Sequence, residues 1–392
     1  MKNILILGGG FGGLAVANEL REALKGEVNI TVVDKKQRTE YRPSYLYVMI
    51  GYREPEQMTA PLEYLENRGI KYINAEVTKI DAANRTVETT AGKLNYDYLI
   101  IALGAETHPE MIKGGPFPSA WELDLALKAR EALKSLRKGK VVIAAYDKVY
   151  RCPPAPWEAA FLIDYHYSGL GIRKDIEITM VHPYKRPFEN YGPLAAKAME
   201  RMMQQRNVNW MGLNKDVAID YVDTQNKILY TTTGEKVPYD VLITVPPHLP
   251  PKPVAESDIA DQKGWAAVNP PTMRTVKYDD VYAIGDVVAP HLGIGMAGVI
   301  AHSYVKYVVN AISSDIKGTY KSSDFRVYAT CAFDAGGIGM TGACDFTPQI
   351  LKTAPLPDCV ILPPSSTITI FKEYFEKQYF SWLLGYVPGW SE

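Results

Sequence analysis

The chain of 392 residues is short of several features, and each shortage excludes a class of protein. It has no run of eighteen or more uninterrupted apolar residues, so no segment is expected to span a bilayer. Neither sign of charge is in excess. With 43 basic and 44 acidic residues the formal net charge is −1, and no global field marks nucleic acid as a partner. Cysteine is scarce: Cys152, Cys331, Cys344 and Cys359 are too few and too far apart for a disulfide framework, and no CxxC pair stands ready for a metal. No signal peptide is expected, because MKNILILGGG runs from Met1 straight into a strand and a glycine turn; a cytosolic location follows. The apolar fraction of 47% excludes disorder, and the length predicts two to three domains.

What the chain does carry begins at its first turn. Residues 4–7 read as a buried strand, Gly8, Gly10 and Gly13 stand in GxGxxG register, and residues 14–24 read as an amphipathic helix. A second β-rich run, 30–33, ends in Asp34. The first glycine permits a tight turn, the second lets backbone approach a pyrophosphate, and the third lets helix pack on strand. An acid 21 residues beyond Gly13 suits an unphosphorylated adenosine ribose, which leaves FAD and NAD as the candidates. Two more strand-and-glycine stretches follow, YDYLIIALGA at 96–105 and TVKYDDVYAIGD at 275–286. Beyond Asp286 a glycine loop opens a helix near Met296 and Ala297, and no lysine occurs before Lys306. Charge on a bound ring would therefore be met by the helix dipole and backbone donors.

Between these stretches lies a second βα region, about 114–250, with strands at 141–145 and 176–181 and helices to about 168 and over 193–205. Glycines are missing where a nucleotide fingerprint belongs. In their place stands YRCPPAPWEAAF, residues 150–161, with Cys152, three prolines and Glu158. The stretch is a poor pyrophosphate cradle and a rigid mount for a thiol. Glu158 reads either as a base or as a first-turn helix charge, and His182, at a strand end, as a proton carrier or a satisfied polar residue. Residues 319–392 change character, carrying Cys331 in YATCAFDAGGIGM and the aromatic ITIFKEYFEKQYFSWLLGYVPGW. That tail suits a membrane interface or a terminal helix docked on the core. Cys344 and Cys359 are expected to be small buried hydrophobes.

Taken with these motifs, the chain resembles the sulfide:quinone oxidoreductases, two-dinucleotide-binding-domain flavoproteins, and more coarsely type II NADH dehydrogenases and the flavin subunit of flavocytochrome c sulfide dehydrogenase. The residues that carry the resemblance are YRCPPAPWEAAF, Cys331 ahead of a glycine turn, and Phe371 and Phe375 in F-x-x-x-F spacing. It implies an α/β fold of two Rossmann-like domains, the second without its NAD motif, plus a C-terminal membrane-associating segment. The expected division is 1–113 with 251–318 for FAD, 114–250 for the second domain, and 319–392 for the quinone and membrane region. FAD contacts are implied at Gly8, Gly10, Phe11, Gly13, Asp34, Lys35, Val77, Ala102, Gly104, Gly285, Asp286, Met296 and Ala297. Cys152 and Cys331 would be the ends of a disulfide or polysulfide bridge, with Glu158 as a base, and Phe371, Lys372, Tyr374 and Phe375 would form the quinone pocket.

The implied partners are hydrogen sulfide, a membrane quinone and, peripherally, the bilayer at the cytoplasmic face of the cell membrane, with homo-oligomerisation left open. Many members carry a further cysteine upstream that can bind the flavin covalently. None precedes Cys152 here, so non-covalent FAD is expected. An NADH dehydrogenase would need the glycines that 146–151 lack, and a flavin-bearing sensor or scaffold is the alternative outside enzymes.

Overall fold

The computed structural model describes residues 1–212, 216–319 and 324–385. Its first layer is a seven-stranded sheet in the order Val268–Asn269, Arg274–Thr275, Val281–Ala283, Tyr98–Ile101, Lys2–Leu7, Val28–Asp34 and Lys71–Asn74. The last five strands run parallel. Ile4, Ile6, Leu7, Val32, Val33 and Leu99–Ile101 are all buried, the continuous apolar run that a sheet covered on both faces demands. Helix Phe11–Leu24 packs against helix Gly298–Lys317, so the first turn and the approach to the late helix lie side by side.

The second layer is a parallel four-stranded sheet in the order Val208–Met211, Ile176–Val181, Gly139–Ala145 and Val241–Val245. Helix Ala155–Gly169 follows its first strand and is buried almost all round, with Trp157, Phe161 and Tyr167 at 0% exposure. The chain crosses between the two sheets twice. Both crossings meet in one antiparallel pair, Glu106–Thr107 with His248–Leu249, and His248 belongs to the proline-rich connector.

A third, antiparallel sheet, Tyr328–Asp334, Gly339–Asp345 and Asp358–Ser365, comes next and delivers the chain into helix Ser366–Leu384. This helix is capped by Ser365, whose hydroxyl accepts from the Thr367 amide, and it ends at Gly385 in the left-handed conformation. One stripe, Lys372, Glu376, Tyr379, Phe380 and Leu383, faces inward at helical spacing. Burying Tyr379, Phe380, Leu383 and Leu384 contributes about 1.5–3 kcal/mol each, so the tail is docked on the body of the protein by its own apolar face. Of the aromatic tail read from sequence, residues 386–392 lie outside the described residues.

Candidate active site

The first turn is built around missing side chains. Gly8 has φ +108°, and a Cβ there would collide with the Ala102 carbonyl; a Cβ on Gly13 would strike the Gly8 carbonyl. At Gly10 no atom lies within 4 Å of a Cβ position, so open space remains above the turn. Asp34 closes the loop from the other side, accepting from the Gly9 amide at 2.6 Å and the Lys36 amide at 2.7 Å. A diphosphate fits over bare backbone at Gly10, with a ribose at Asp34. Among the other cofactor positions, Gly104 and Gly285 have φ +73° and +83°, Val77 is buried, and Lys35 is exposed and paired with Glu76 and Glu106.

At the same carboxyl edge of the sheet, two strands from the glycine turn, Asp286 lies near two cations that sequence reading did not single out, Arg42 and Arg151. Burial pushes the Asp286 carboxyl up, and these two guanidiniums pull it back. Ala297 caps helix Gly298–Lys317 without a side-chain hydrogen bond, leaving amide donors for a ligand. The Phe11 ring lies beside the start of that helix, 2.9 Å from where a Cβ on Gly298 would stand, and also packs against Tyr379, His302 and Trp382, joining the first helix to the C-terminal one.

The cysteine loop sits at the same place in the second sheet and is held by side chains. Cys152 adopts φ +58°, a left-handed conformation that costs a non-glycine residue energy and that neighbours must enforce. They do so from three sides. The Cys152 amide donates to the Met296 carbonyl at 2.7 Å, fastening the loop to the approach to helix Gly298–Lys317. Arg151, 9% exposed, donates to the Ala105 and Trp121 carbonyls and pairs with Glu122, while the Trp121 indole donates to the Arg151 carbonyl. His182, at 0% exposure, takes the Tyr184 amide on Nδ1, leaving Nε2–H for Tyr150 Oη at 2.7 Å, and Tyr150 donates in turn to the Pro153 carbonyl at 3.1 Å. Burial pushes the His182 pKa down to about 3, so it stands as a neutral prop. The satisfied-polar reading of His182 is the one the contacts favour.

Cys331 arrives on strand Tyr328–Asp334 and lines an apolar cavity of about 40 Å³ with Pro154, Tyr191, Met340 and Ile361. Cys152 and Cys331 are free thiols within electrostatic reach of each other. Burial, then the other thiol and Glu158, pushes Cys152 well up; burial and Glu158 push Cys331 up to about 11. Two cysteines 179 positions apart thus meet at one site.

Glu158 is 1% exposed and does not cap its own helix. It accepts from the Asp334 amide at 2.9 Å and forms an ion pair with Lys372. Burial raises the carboxyl and Lys372 lowers it again; burial opposes the Lys372 charge, but Glu158 leaves it raised. The Lys372 ammonium also lies 5.2 Å from the Tyr47 ring, and the Tyr47 hydroxyl donates to Asp334. Of the four residues expected to form a quinone pocket, then, Lys372 turns inward. Phe371 and Tyr374 are 56% and 59% exposed, and Phe375 is half-buried against Tyr41.

One expectation is corrected. Cys344 and Cys359 are not lone buried hydrophobes but a disulfide, because the pairing of strand Gly339–Asp345 with Asp358–Ser365 sets them directly opposite, with Cα atoms 4.1 Å apart. Arg42, Arg151, Asp334 and the Glu158–Lys372 pairing also escaped the sequence reading; only Arg151 had a visible signal, as a charge inside an otherwise apolar loop.

A family model for pyridine nucleotide-disulphide oxidoreductases matches residues 2–144, and one for the central part of the sulfide dehydrogenase (flavocytochrome c) flavoprotein chain matches 126–246. The sulfide-quinone reductase of Aquifex aeolicus is 27% identical over 405 aligned positions, covering 97% of this chain and 90% of the relative. The mitochondrial sulfide:quinone oxidoreductase of Mus musculus is 26% identical, covering 90% and 80%. The X-ray structure of the Aquifex aeolicus enzyme superposes with a TM-score of 0.85 at 25% identity, over 98% of this chain and 91% of that one. A type II NADH:quinone oxidoreductase from Staphylococcus haemolyticus is 36% identical but over only 29% of either chain. Together these show that the chain is a homologue, over nearly its whole length, of the sulfide:quinone oxidoreductases, FAD-binding flavoproteins with the pyridine nucleotide-disulphide oxidoreductase fold.

Proposed function

We propose that the protein oxidises hydrosulfide at Cys152 and Cys331 and passes the electrons through FAD to a membrane quinone. The observation that carries this reading is the convergence of the two thiols beside a Rossmann turn that has side chains where a nucleotide would need glycines. Bound FAD supplies the two-electron acceptor between the thiol centre and the quinone. The residues suited to hold it are Gly8, Gly10, Gly13 and Asp34 at the diphosphate and ribose, and Asp286, Met296 and Ala297 at the ring end. With no cysteine ahead of Cys152, the cofactor is held without a covalent bond.

In the oxidised protein Cys152 and Cys331 are joined, directly or through added sulfur. Hydrosulfide reaches the cavity beside Cys331 and attacks that sulfur; Cys331 becomes a persulfide and Cys152 leaves as a thiolate. Glu158, within electrostatic reach of both thiols, suits the proton-accepting role. Burial makes a thiolate at Cys152 costly, which favours its forming a sulfur–sulfur bond with the Cys331 side again as two electrons pass to the bound flavin. The prolines and the Met296 hydrogen bond keep Cys152 in place.

Phe371, Tyr374 and Phe375 are the apolar walls offered to a quinone, with Lys372 held behind them by Glu158. Val360, Leu362, Ile370, Phe371, Tyr374 and Trp382 are exposed on the last strand and helix, the face of a monotopic protein resting on the cytoplasmic side of the membrane. Among the described residues no helix is long and apolar enough to cross it. The division into 1–113 with 251–318, 114–250 and 319–392 belongs to this proposal, supported by a separate main sheet in each part.

The test is sulfide-dependent reduction of a short-chain quinone by the purified FAD-loaded protein. Wild type is expected to turn over, and Cys152→Ser and Cys331→Ser to lose on the order of a hundredfold or more while retaining FAD. Turnover with NADH and none with sulfide would overturn the reading in favour of an NADH dehydrogenase.

A further inference from the structure

The Cys344–Cys359 disulfide has no part in the scheme above, yet it stands on the wall of the same chamber. Cys331 and Cys344 both line the cavity. In the antiparallel register Ala329 faces Cys344 and Cys331 faces Gly342, so Cys331 and Cys344 are diagonal neighbours on one face of the sheet. Gly342, directly opposite Cys331, carries no side chain of its own, and the Ile361 side chain of the next strand packs over it. Diagonal positions are about 7–8 Å apart, beyond the Cβ separation of about 4 Å that a direct disulfide needs. One extra sulfur atom on Cys331 extends its reach by about 2 Å. On the other side of the bond Cys344 is 4% exposed whereas Cys359 is only half-buried, on the outer strand of the sheet. The bond thus has one end in the sulfur chamber and the other toward the surface.

Resting on the reading of Cys331 as the persulfide-bearing residue, we propose that the Cys344–Cys359 disulfide is the acceptor for sulfur leaving Cys331 and relays it to a small thiol at the surface. The terminal sulfur of the Cys331 persulfide anion attacks Cys344 Sγ; a Cys331–S–Cys344 trisulfide forms and Cys359 leaves as a thiolate. Cys359 then attacks the middle sulfur, and Cys331 leaves as a thiolate. The net result is one sulfur atom inserted between Cys344 and Cys359, with no net gain or loss of electrons. A low-molecular-weight thiolate attacks the inserted sulfur next, and the displaced cysteine thiolate attacks its partner's sulfur. The thiol departs as its persulfide, and the original disulfide is restored.

The experiment treats the FAD-loaded full chain with hydrosulfide and a quinone, quenches with acid, digests without reductant and weighs the linked peptides carrying Cys344 and Cys359. Wild type is expected to give a fraction one sulfur atom heavier, which disappears on adding excess small thiol as that thiol's persulfide forms; Cys331→Ser is expected to give none. Flavin reduction with a persulfide on Cys331 but linked peptides at the plain disulfide mass would overturn the relay alone. The heavier form appearing equally in Cys331→Ser would overturn it too, since sulfide would then act on the disulfide directly. Absence of both flavin reduction and a Cys331 persulfide would instead bring down the functional reading beneath it.

Discussion

The two Rossmann turns each follow a parallel strand of their own sheet and are solved in opposite ways. After strand Lys2–Leu7 the chain makes room by omission: Gly8 and Gly13 tolerate no Cβ, and Gly10 fronts open space. After strand Gly139–Ala145 the corresponding volume is filled by Tyr150, Arg151 and Cys152, each held by hydrogen bonds, and by Trp157, held by ring packing against His182, Phe188 and Trp210. A turn that must hold a diphosphate keeps its backbone bare, because the ligand supplies the missing contacts. A turn that must hold a thiol in a left-handed conformation needs partners already in place, and here they come from Met296, from Ala105 and Trp121, and from the His182–Tyr150–Pro153 chain.

If that contrast is right, removing a support should damage the second turn far more than adding a side chain damages the first. Lys372→Met leaves Glu158 buried without its cation and is expected to cost about 3–5 kcal/mol of folding stability, read from the denaturation midpoint. Adding Glu158→Gln should recover much of the loss. Full stability in the single variant would show that the pair does not anchor the C-terminal helix to the cysteine loop. At the first turn, Gly10→Ala meets no protein atom, so the unfolding midpoint of the FAD-free chain should stay nearly unchanged while FAD affinity falls about tenfold or more, some 1.4 kcal/mol, by equilibrium dialysis. Unchanged affinity would mean the open space is not the diphosphate site.

The smallest effect concerns acid. His182 has its pKa lowered to about 3 in the folded protein against 6.5 ordinarily, so between those values the unfolded chain binds the extra proton and stability rises with pH. Acidification from pH 7 to 5.5 should therefore remove about 1 kcal/mol through this group. His182→Gln should flatten that part of the stability profile; a profile identical to wild type would remove His182 as a buried neutral support.

Much of the fold was legible because it rests on local pattern. Strand Ile176–Val181 and helix Pro193–Gln205 fall where their apolar spacing predicts, and the glycine turn is readable from residue type alone. What escaped depends on register and long-range pairing. Glu158 meets Lys372 across 214 positions, and nothing in either segment announces the other. Cys344 and Cys359 looked unrelated because their spacing of 15 matches no metal or disulfide pattern; only the alignment of two strands makes them opposite. Lys372 was read as part of an aromatic wall because its neighbours are aromatic. The helical period turns it 100° from Phe371, which is enough to bury it.

The central claim is that the second turn presents a thiol where a nucleotide-binding relative would present a nicotinamide site. Rapid mixing of the oxidised FAD-loaded protein with hydrosulfide or with NADH, without quinone, tests it most directly. Hydrosulfide is expected to bleach the flavin absorbance in a single turnover that Cys152→Ser abolishes, and NADH to leave it unchanged. Rapid bleaching by NADH, or bleaching by hydrosulfide undiminished in Cys152→Ser, would contradict the account.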